Sequence, residues 1–260
     1  MNILEKIIEN KKWEIARHKE IRSEQLLQGY PYYSRKCCSL KDALCKPGST
    51  GIIAEFKQKS PSKGEINQNA RAEVVTRDYV NGGAAGLSIL TDFPFFGGTL
   101  KNLAIARKEN PETPILRKDF IIDSYQITEA KAFGADVILL IASCLEKQQA
   151  EELAEMAKSL GMEVLLEVHH AEELEILNDF VDLVGVNNRN LKTFEVDLGT
   201  SFKLAEIIPE RFVKISESGL SGADAIHHLR ESGYKGFLIG ETFMKTKNPG
   251  ETLKTFISKL

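Results

Sequence analysis

The chain has 260 residues, 42% of them hydrophobic and 27% charged, a composition that excludes a disordered or fibrous protein. Its 34 basic and 37 acidic residues leave a net charge of -3 without a long basic run, so non-specific nucleic-acid binding has little support. The longest apolar runs, such as Val137–Ala142, fall far short of the ~20 residues that span a bilayer.

In chain order, the N-terminal stretch from Met1 to Lys12 carries Glu5, Lys6, Glu9, Lys11 and Lys12 and has no apolar signal-like segment. Ile3, Leu4, Ile7, Ile8 and Ile15 recur at helical spacing, which predicts a helix docking one narrow stripe; Trp13 falls off that stripe. Residues 23–50, broken by Gly29, Pro31, Pro47 and Gly48, read as a linker. Residues 1–50 are therefore an expected extension packing on a domain of residues 51–260.

From residue 51 the pattern is regular. Short β-branched runs begin near Ile52, Ala85, Pro114, Asp136, Met162, Asp182, Phe212 and Gly236. Amphipathic stretches such as Ala70–Asn81, Glu146–Leu160 and Ser221–Ser232 lie between them. Gly82-Gly83, Gly134, Gly161 and Gly233 punctuate the helix ends. Eight strands alternating with eight helices predict an α/β fold, a single (β/α)8 TIM barrel with an N-terminal helical extension. An open doubly wound sheet is the alternative, but no G-x-G-x-x-G follows the first strand.

Charges interrupt these strands at their C-terminal ends, where barrel enzymes place their chemistry. The runs end in Glu55-Phe56-Lys57, Arg117-Lys118-Asp119, Glu167-Val168-His169, Asn187-Asn188-Arg189, Glu217-Ser218 and Gly240-Glu241. Period 2 points Glu55 and Lys57 the same way and Phe56 the opposite way. Any one of these residues suits a solvated strand end. Lysines, glutamates and an asparagine converging on one mouth are costly to desolvate unless paired or given a ligand. Such a mixture also moves pKa values toward acid/base use. Ser218-Gly219 before a helix start at Ser221, and Gly240 before Glu241, suit an anion held by backbone N–H groups. A glutamate is an awkward phosphate neighbour, so only the backbone of Glu241 is expected to help.

Four cysteines, Cys37, Cys38, Cys45 and Cys144, show no CxxC and no metal-ligand spacing. Neither a disulfide framework nor a metal is expected, and a reducing cytoplasm fits best. His169-His170 and His227-His228 are adjacent pairs without helical metal spacing, and surface positions are expected for them.

The ordered motifs resemble the indole-3-glycerol phosphate synthase family. They are Ile53-Ala54-Glu55-Phe56-Lys57-Gln58-Lys59-Ser60-Pro61-Ser62, Leu87-Ser88-Ile89-Leu90-Thr91-Asp92 with Phe95-Phe96-Gly97-Gly98, and Leu116-Arg117-Lys118-Asp119-Phe120-Ile121. Leu166-Glu167-Val168-His169, Gly185-Val186-Asn187-Asn188-Arg189-Asn190-Leu191, Ser216-Glu217-Ser218-Gly219-Leu220 and Leu238-Ile239-Gly240-Glu241 complete the set. Each tetrapeptide is weak, but the ordered set across seven strands is strong. Phe93-Pro94 departs from the charged residues the family often has there, which bears on a substrate loop.

The resemblance implies conversion of 1-(2-carboxyphenylamino)-1-deoxyribulose 5-phosphate to indole-3-glycerol phosphate with loss of CO2 and water, without cofactor or metal. It implies Lys118 as general acid of ring closure, and Lys57 as carboxylate partner and candidate acid of dehydration. Glu55 and Glu167 are then base and electrostatic stabiliser. Asn187 would bond a substrate hydroxyl or orient a lysine, and Arg189 and Glu217 would hold the mouth. Ser60, Ser218, Gly219, Gly240 and the Glu241 backbone would bind anionic groups. Phe96, Phe120, Leu191 and Ile239 would form an apolar slot for the anthranilate ring. The expected partner is a small-molecule phosphosugar, with no nucleic acid and no membrane, and the chain is expected to be a monomer or homodimer. Another phosphosugar barrel, either an isomerase or a Schiff-base aldolase, and a non-enzymatic barrel remain alternatives.

Overall fold

The structure, a computed structural model, describes residues 3–191 and 193–260. Met1 and Asn2, which open the N-terminal stretch read above, lie outside the described residues, as does Lys192.

Eight parallel strands close into a barrel. They are β1 (Ile52–Phe56), β2 (Gly86–Leu90), β3 (Ile115–Lys118), β4 (Val137–Ile141), β5 (Glu163–Val168), β6 (Leu183–Asn187), β7 (Val213–Glu217) and β8 (Tyr234–Ile239). Each begins within two residues of its apolar run in the sequence. β1 closes the ring by pairing with both β2 and β8. Strands buried on both faces need apolar residues at odd and even positions, which is why β4 reads Val-Ile-Leu-Leu-Ile.

Two apolar layers follow from the alternation. Ile53, Leu116, Leu139, Leu165, Leu183, Ile215 and Leu238 fill the barrel. Phe56, Ile89, Leu140, Leu166 and Val186 face outward to the surrounding helices. Around the barrel lie α4 (Ala72–Asn81), α5 (Phe93–Phe96), α6 (Leu100–Glu109), α7 (Ser124–Ala132), α8 (Lys147–Ser159), α9 (Gly199–Ala205), α10 (Ala223–Glu231), α11 (Glu241–Met244) and α12 (Pro249–Ile257); α4, α8, α10 and α12 are amphipathic, whereas α7 is buried almost throughout beneath the N-terminal extension. Gly134 (φ 93°) and Gly233 (φ 89°) take the left-handed conformation that ends α7 and α10 before the next strand.

Of the eight helices expected, the one between β5 and β6 takes the 3-10 form, Ala171–Ile176. The Asn178 side chain accepts from Phe180 N–H at 3.0 Å, a local bond that competes with helix continuation.

The N-terminal extension grips both ends of the barrel. At the bottom, α3 (Leu40–Cys45) presses Leu40 and Leu44 into the barrel interior, and Glu163 at the start of β5 accepts from Leu40 N–H at 2.8 Å. Between the ends, α2 (Glu24–Gln28) buries Leu27, and the Tyr125 hydroxyl of α7 donates to the carbonyl of Arg22 at 2.9 Å. At the top, α1 (Ile3–Ile21) buries Ile7, Lys11 and Ile15. Trp13 is exposed, with the Arg17 guanidinium 5.4 Å from its ring centre.

Candidate active site

A cavity of about 490 Å³ opens at the C-terminal ends of the strands. All the candidate residues named from the sequence line it: Glu55, Lys57, Ser60, Phe96, Lys118, Phe120, Glu167, Asn187, Arg189, Leu191, Glu217, Ser218, Gly219, Ile239, Gly240 and Glu241. Strand periodicity explains the convergence. Each charged residue continues the inward-facing register two positions beyond a core residue: Ile53 then Glu55, Leu116 then Lys118, Leu165 then Glu167, Ile215 then Glu217.

At the floor, Lys118 Nζ lies 2.6 Å from Glu167 Oε2 and 3.4 Å from Glu217 Oε2. Asn187 Nδ2 donates to the other Glu167 oxygen at 3.1 Å. Asn187 thus orients a glutamate, whereas the sequence reading gave it a substrate hydroxyl or a lysine. Lys57 Nζ meets Glu55 Oε1 at 2.6 Å, forming a second pair on the adjacent wall. Two glycines make room for the carboxylates. A Cβ on Gly185 would lie 2.3 Å from Glu217 Oε1, and one on Gly240 would lie 2.4 Å from Glu55 Oε1. Gly240 therefore accommodates Glu55, whatever its backbone does for an anion.

Burial disfavours every charge here, and the pairing decides the outcome. Burial would neutralise Lys118, but Glu167, Glu217 and Glu55 outweigh it and hold the ammonium well above its ordinary pKa. Burial would raise Glu167, yet Lys118 beside it brings it down to about 2. Glu217 goes the other way. Burial, with the nearby Glu167 and Glu55 charges, outweighs the more distant Lys118 and pushes it up to about 7. Its Oε1 has no hydrogen-bond partner among the described residues.

The upper walls differ in chemistry. The Phe96 and Phe120 rings stand 6.0 Å apart on one side. Ser218 (φ 69°) and Gly219 (φ 78°) form a left-handed turn opposite, where a Gly219 Cβ would strike Val196 Cγ1 at 2.4 Å. Asn188 Nδ2 holds this turn by donating to the Ser218 carbonyl at 3.1 Å. The turn leads to α10, whose N-cap Gly222 supplies no side-chain cap, leaving its first N–H groups for a ligand. Arg189 Nη1 donates to the Phe194 carbonyl at 3.1 Å, and its Nη2 lies 3.7 Å from Glu241 Oε2, so the Glu241 carboxylate has a cation of its own.

Sequence reasoning missed three groups. Ile3, Leu4 and Ile7 of α1 line the cavity, and Lys63 and Lys245 add two cations to its rim. Lys11, assigned to the polar side of α1, is fully buried 2.8 Å from Asp119 and 3.0 Å from Asp92. It lies four residues from both Ile7 and Ile15, so the signal was its place on the apolar stripe. His169, expected at the surface, is 6% exposed because it continues β5 into the barrel wall. His170, His227 and His228 are exposed.

The indole-3-glycerol phosphate synthase family model matches residues 4–256. The chain belongs to that family. It is a decarboxylating lyase of tryptophan biosynthesis. An indole-3-glycerol phosphate synthase of Bacteroides thetaiotaomicron is 51% identical over 260 residues, covering 100% of this chain and 99% of that protein. One of Salinibacter ruber is 41% identical, covering 97% and 94% respectively. Among solved structures, 3-hexulose-6-phosphate synthase from Salmonella typhimurium matches with a TM-score of 0.64 at 12% identity, covering 81% of this chain and 98% of that one. At that identity the likeness concerns the barrel alone. Among the described residues no group of three or more His, Cys, Asp or Glu is arranged to hold a metal, and no helix is long and apolar enough to cross a membrane.

Proposed function

We propose that the cavity closes the indole ring of 1-(2-carboxyphenylamino)-1-deoxyribulose 5-phosphate, with Lys118 as the acid of the first step. The observation that carries this reading is the Lys118 ammonium fixed between Glu167 and Glu217 on the cavity floor. Attack of the carboxylate-bearing aromatic carbon on the ketone builds negative charge on the ketone oxygen. An ammonium held in low dielectric stabilises that charge and protonates it. Loss of CO2 then restores the aromatic ring. Dehydration needs a second proton on the same oxygen and a base for the proton on the carbon next to nitrogen. Lys57 supplies the former, after partnering the substrate carboxylate, and Glu55 and Glu167 share the base and stabiliser roles.

The substrate's phosphate fits the Ser218-Gly219 turn, the start of α10 and the Gly240 backbone, with Ser60 and the two rim lysines adding donors and charge. The anthranilate ring fits between Phe96, Phe120, Leu191 and Ile239. Arg189 holds the loop edge through Phe194 and Glu241.

A Schiff-base aldolase needs a neutral amine for attack on its ketone. Lys118 is held as the ammonium, which favours the acid role. The test is a fluorescence assay of the purified protein with this substrate and EDTA. Indole-product formation is expected. A folded protein that forms none, or that is trapped on substrate by borohydride, would refute the reading.

A further inference from the structure

A second cavity, of about 700 Å³, lies beside the first, under α1. His169 and Glu173 line it, and Leu4 and Leu191 separate it from the substrate cavity by lining both. His169 stands in the wall between them. Its Nε2 faces Glu167 Oε1 at 3.4 Å, and its Nδ1 faces Glu173 Oε2 at 3.5 Å. Among the described residues neither ring nitrogen finds a hydrogen-bond partner, although the side chain is buried. Glu173 is fixed in place by the His169 backbone N–H, which donates to its Oε2 at 2.5 Å. A buried imidazole between two carboxylates, one on each cavity, is not needed to fill space, and nothing in the mechanism above uses it.

The proton balance of the reaction gives it work. The substrate carboxylate is ionised, and CO2 leaves without a proton. The ketone oxygen receives one proton at ring closure and another at dehydration, then departs as water. One proton returns to the protein from the carbon next to nitrogen. Each turnover therefore consumes one proton that the protein must draw from solvent.

We propose that His169 is a positioning residue that returns this proton, passing it from the second cavity through Glu173 and its own ring to Glu167, which re-protonates Lys118. The inference rests on the reading of Lys118 and Glu167 given above. The geometry is a continuous line: Glu173 Oε2, the two ring nitrogens, Glu167 Oε1, then Glu167 Oε2 at 2.6 Å from Lys118 Nζ. The imidazolium gives its Nε2 proton to Oε1, and a flip of the neutral ring turns the emptied nitrogen toward Glu173, from which it takes the next proton. A half-turn of the Glu167 carboxyl presents that proton to the neutral lysine amine. Burial disfavours the imidazolium, but Glu173, Glu167 and Glu217 prevail and raise the His169 pKa, so the ring is readily recharged.

The test separates the first turnover from the later ones. A His169→Ala variant still holds the protons for one cycle, so rapid mixing with substrate should give a first turnover near the wild-type rate. Steady-state turnover should then be at least ~10-fold slower, relative to the same ratio in the wild type. Added imidazole, small enough for the enlarged second cavity, should restore the steady state. Glu173→Gln should give the same burst with a smaller later loss, and it carries the test if His169→Ala does not fold. Steady-state rates within twofold of wild type would overturn the relay. So would first and later turnovers falling together, or a burst that imidazole leaves unchanged. Wild-type protein that makes no indole product would instead refute the reaction assignment.

Discussion

Removing the Lys118 ammonium should do two separable things. Lys118→Ala deletes the proposed acid of ring closure, which predicts a loss of turnover of ~10²–10⁴-fold. It also leaves Glu167 buried without its cation. In the wild type that carboxyl is held at about 2 against an ordinary 4.5. The difference corresponds to stabilisation on the order of 3 kcal/mol. A depressed pKa contributes stability that is present above pH 4.5 and lost as pH falls toward 2. In the variant the burial remains and the compensation is gone, so the Glu167 pKa rises above 4.5. The folded variant then loses stability as pH rises from that point. The gap between the two proteins should therefore be small near pH 2, where Glu167 is protonated in both, and wide at pH 8, at roughly 6–12 °C in melting temperature. Thermal melts at both values, alongside turnover, measure both effects. A gap of equal size at the two pH values would refute the electrostatic account, and turnover within a few-fold of wild type would refute the acid.

Three further outcomes follow from the same geometry. Ser218→Asp should raise KM at least ~10-fold with kcat little changed, through charge repulsion at the anion turn; an unchanged KM would put the phosphate elsewhere. Gly185→Ala drives a methyl into Glu217 Oε1 and should cost about 1–3 kcal/mol of stability and most of the turnover. Normal turnover there would show that Glu217 is free to move. Lys11→Met leaves Asp92 and Asp119 buried without their shared cation and should cost ~3–5 kcal/mol, read as a lower urea midpoint; a midpoint equal to wild type would mean the cluster is dispensable.

The barrel was legible because parallel strands buried on both faces leave near-continuous apolar runs, and Val137–Ile141 cannot be mistaken for a half-exposed strand. The convergence of the candidate residues was legible for a related reason. Glu55, Lys118, Glu167 and Glu217 each break such a run at its C-terminal end, and the inward register of a closed barrel brings such breaks together. Lys11 was illegible as a buried residue because helical patterning treats every lysine as polar. Its partners Asp92 and Asp119 come from the ends of β2 and β3, a separation that local spacing does not encode. His169 was misread for a similar reason. Pairing it with His170 invited a surface reading, whereas its place two residues after Glu167 puts it on the same strand face. The 3-10 form of the helix after β5 turns on the Asn178 side chain, a local competition that the alternation of strands and helices does not encode.

The charge balance of the cavity floor ties these pieces together. Three buried carboxylates, Glu55, Glu167 and Glu217, face two ammonium groups, so one carboxylate is left without a full counter-charge. The geometry selects Glu217. It lies farther from Lys118 than Glu167 does, 3.4 Å against 2.6 Å, and its second oxygen meets only the space above Gly185. Its pKa near 7 is the consequence: the free protein keeps a proton on Glu217 for part of the time at neutral pH. A raised carboxyl subtracts stability as pH climbs from 4.5 to about 7, and the full penalty persists beyond. The fold accepts that penalty at a position where a substrate with two anionic groups is proposed to enter. An incoming carboxylate and phosphate repel an ionised Glu217 and favour its protonated form. On that placement the third carboxylate yields its charge as the ligand arrives and leaves both lysines available to it.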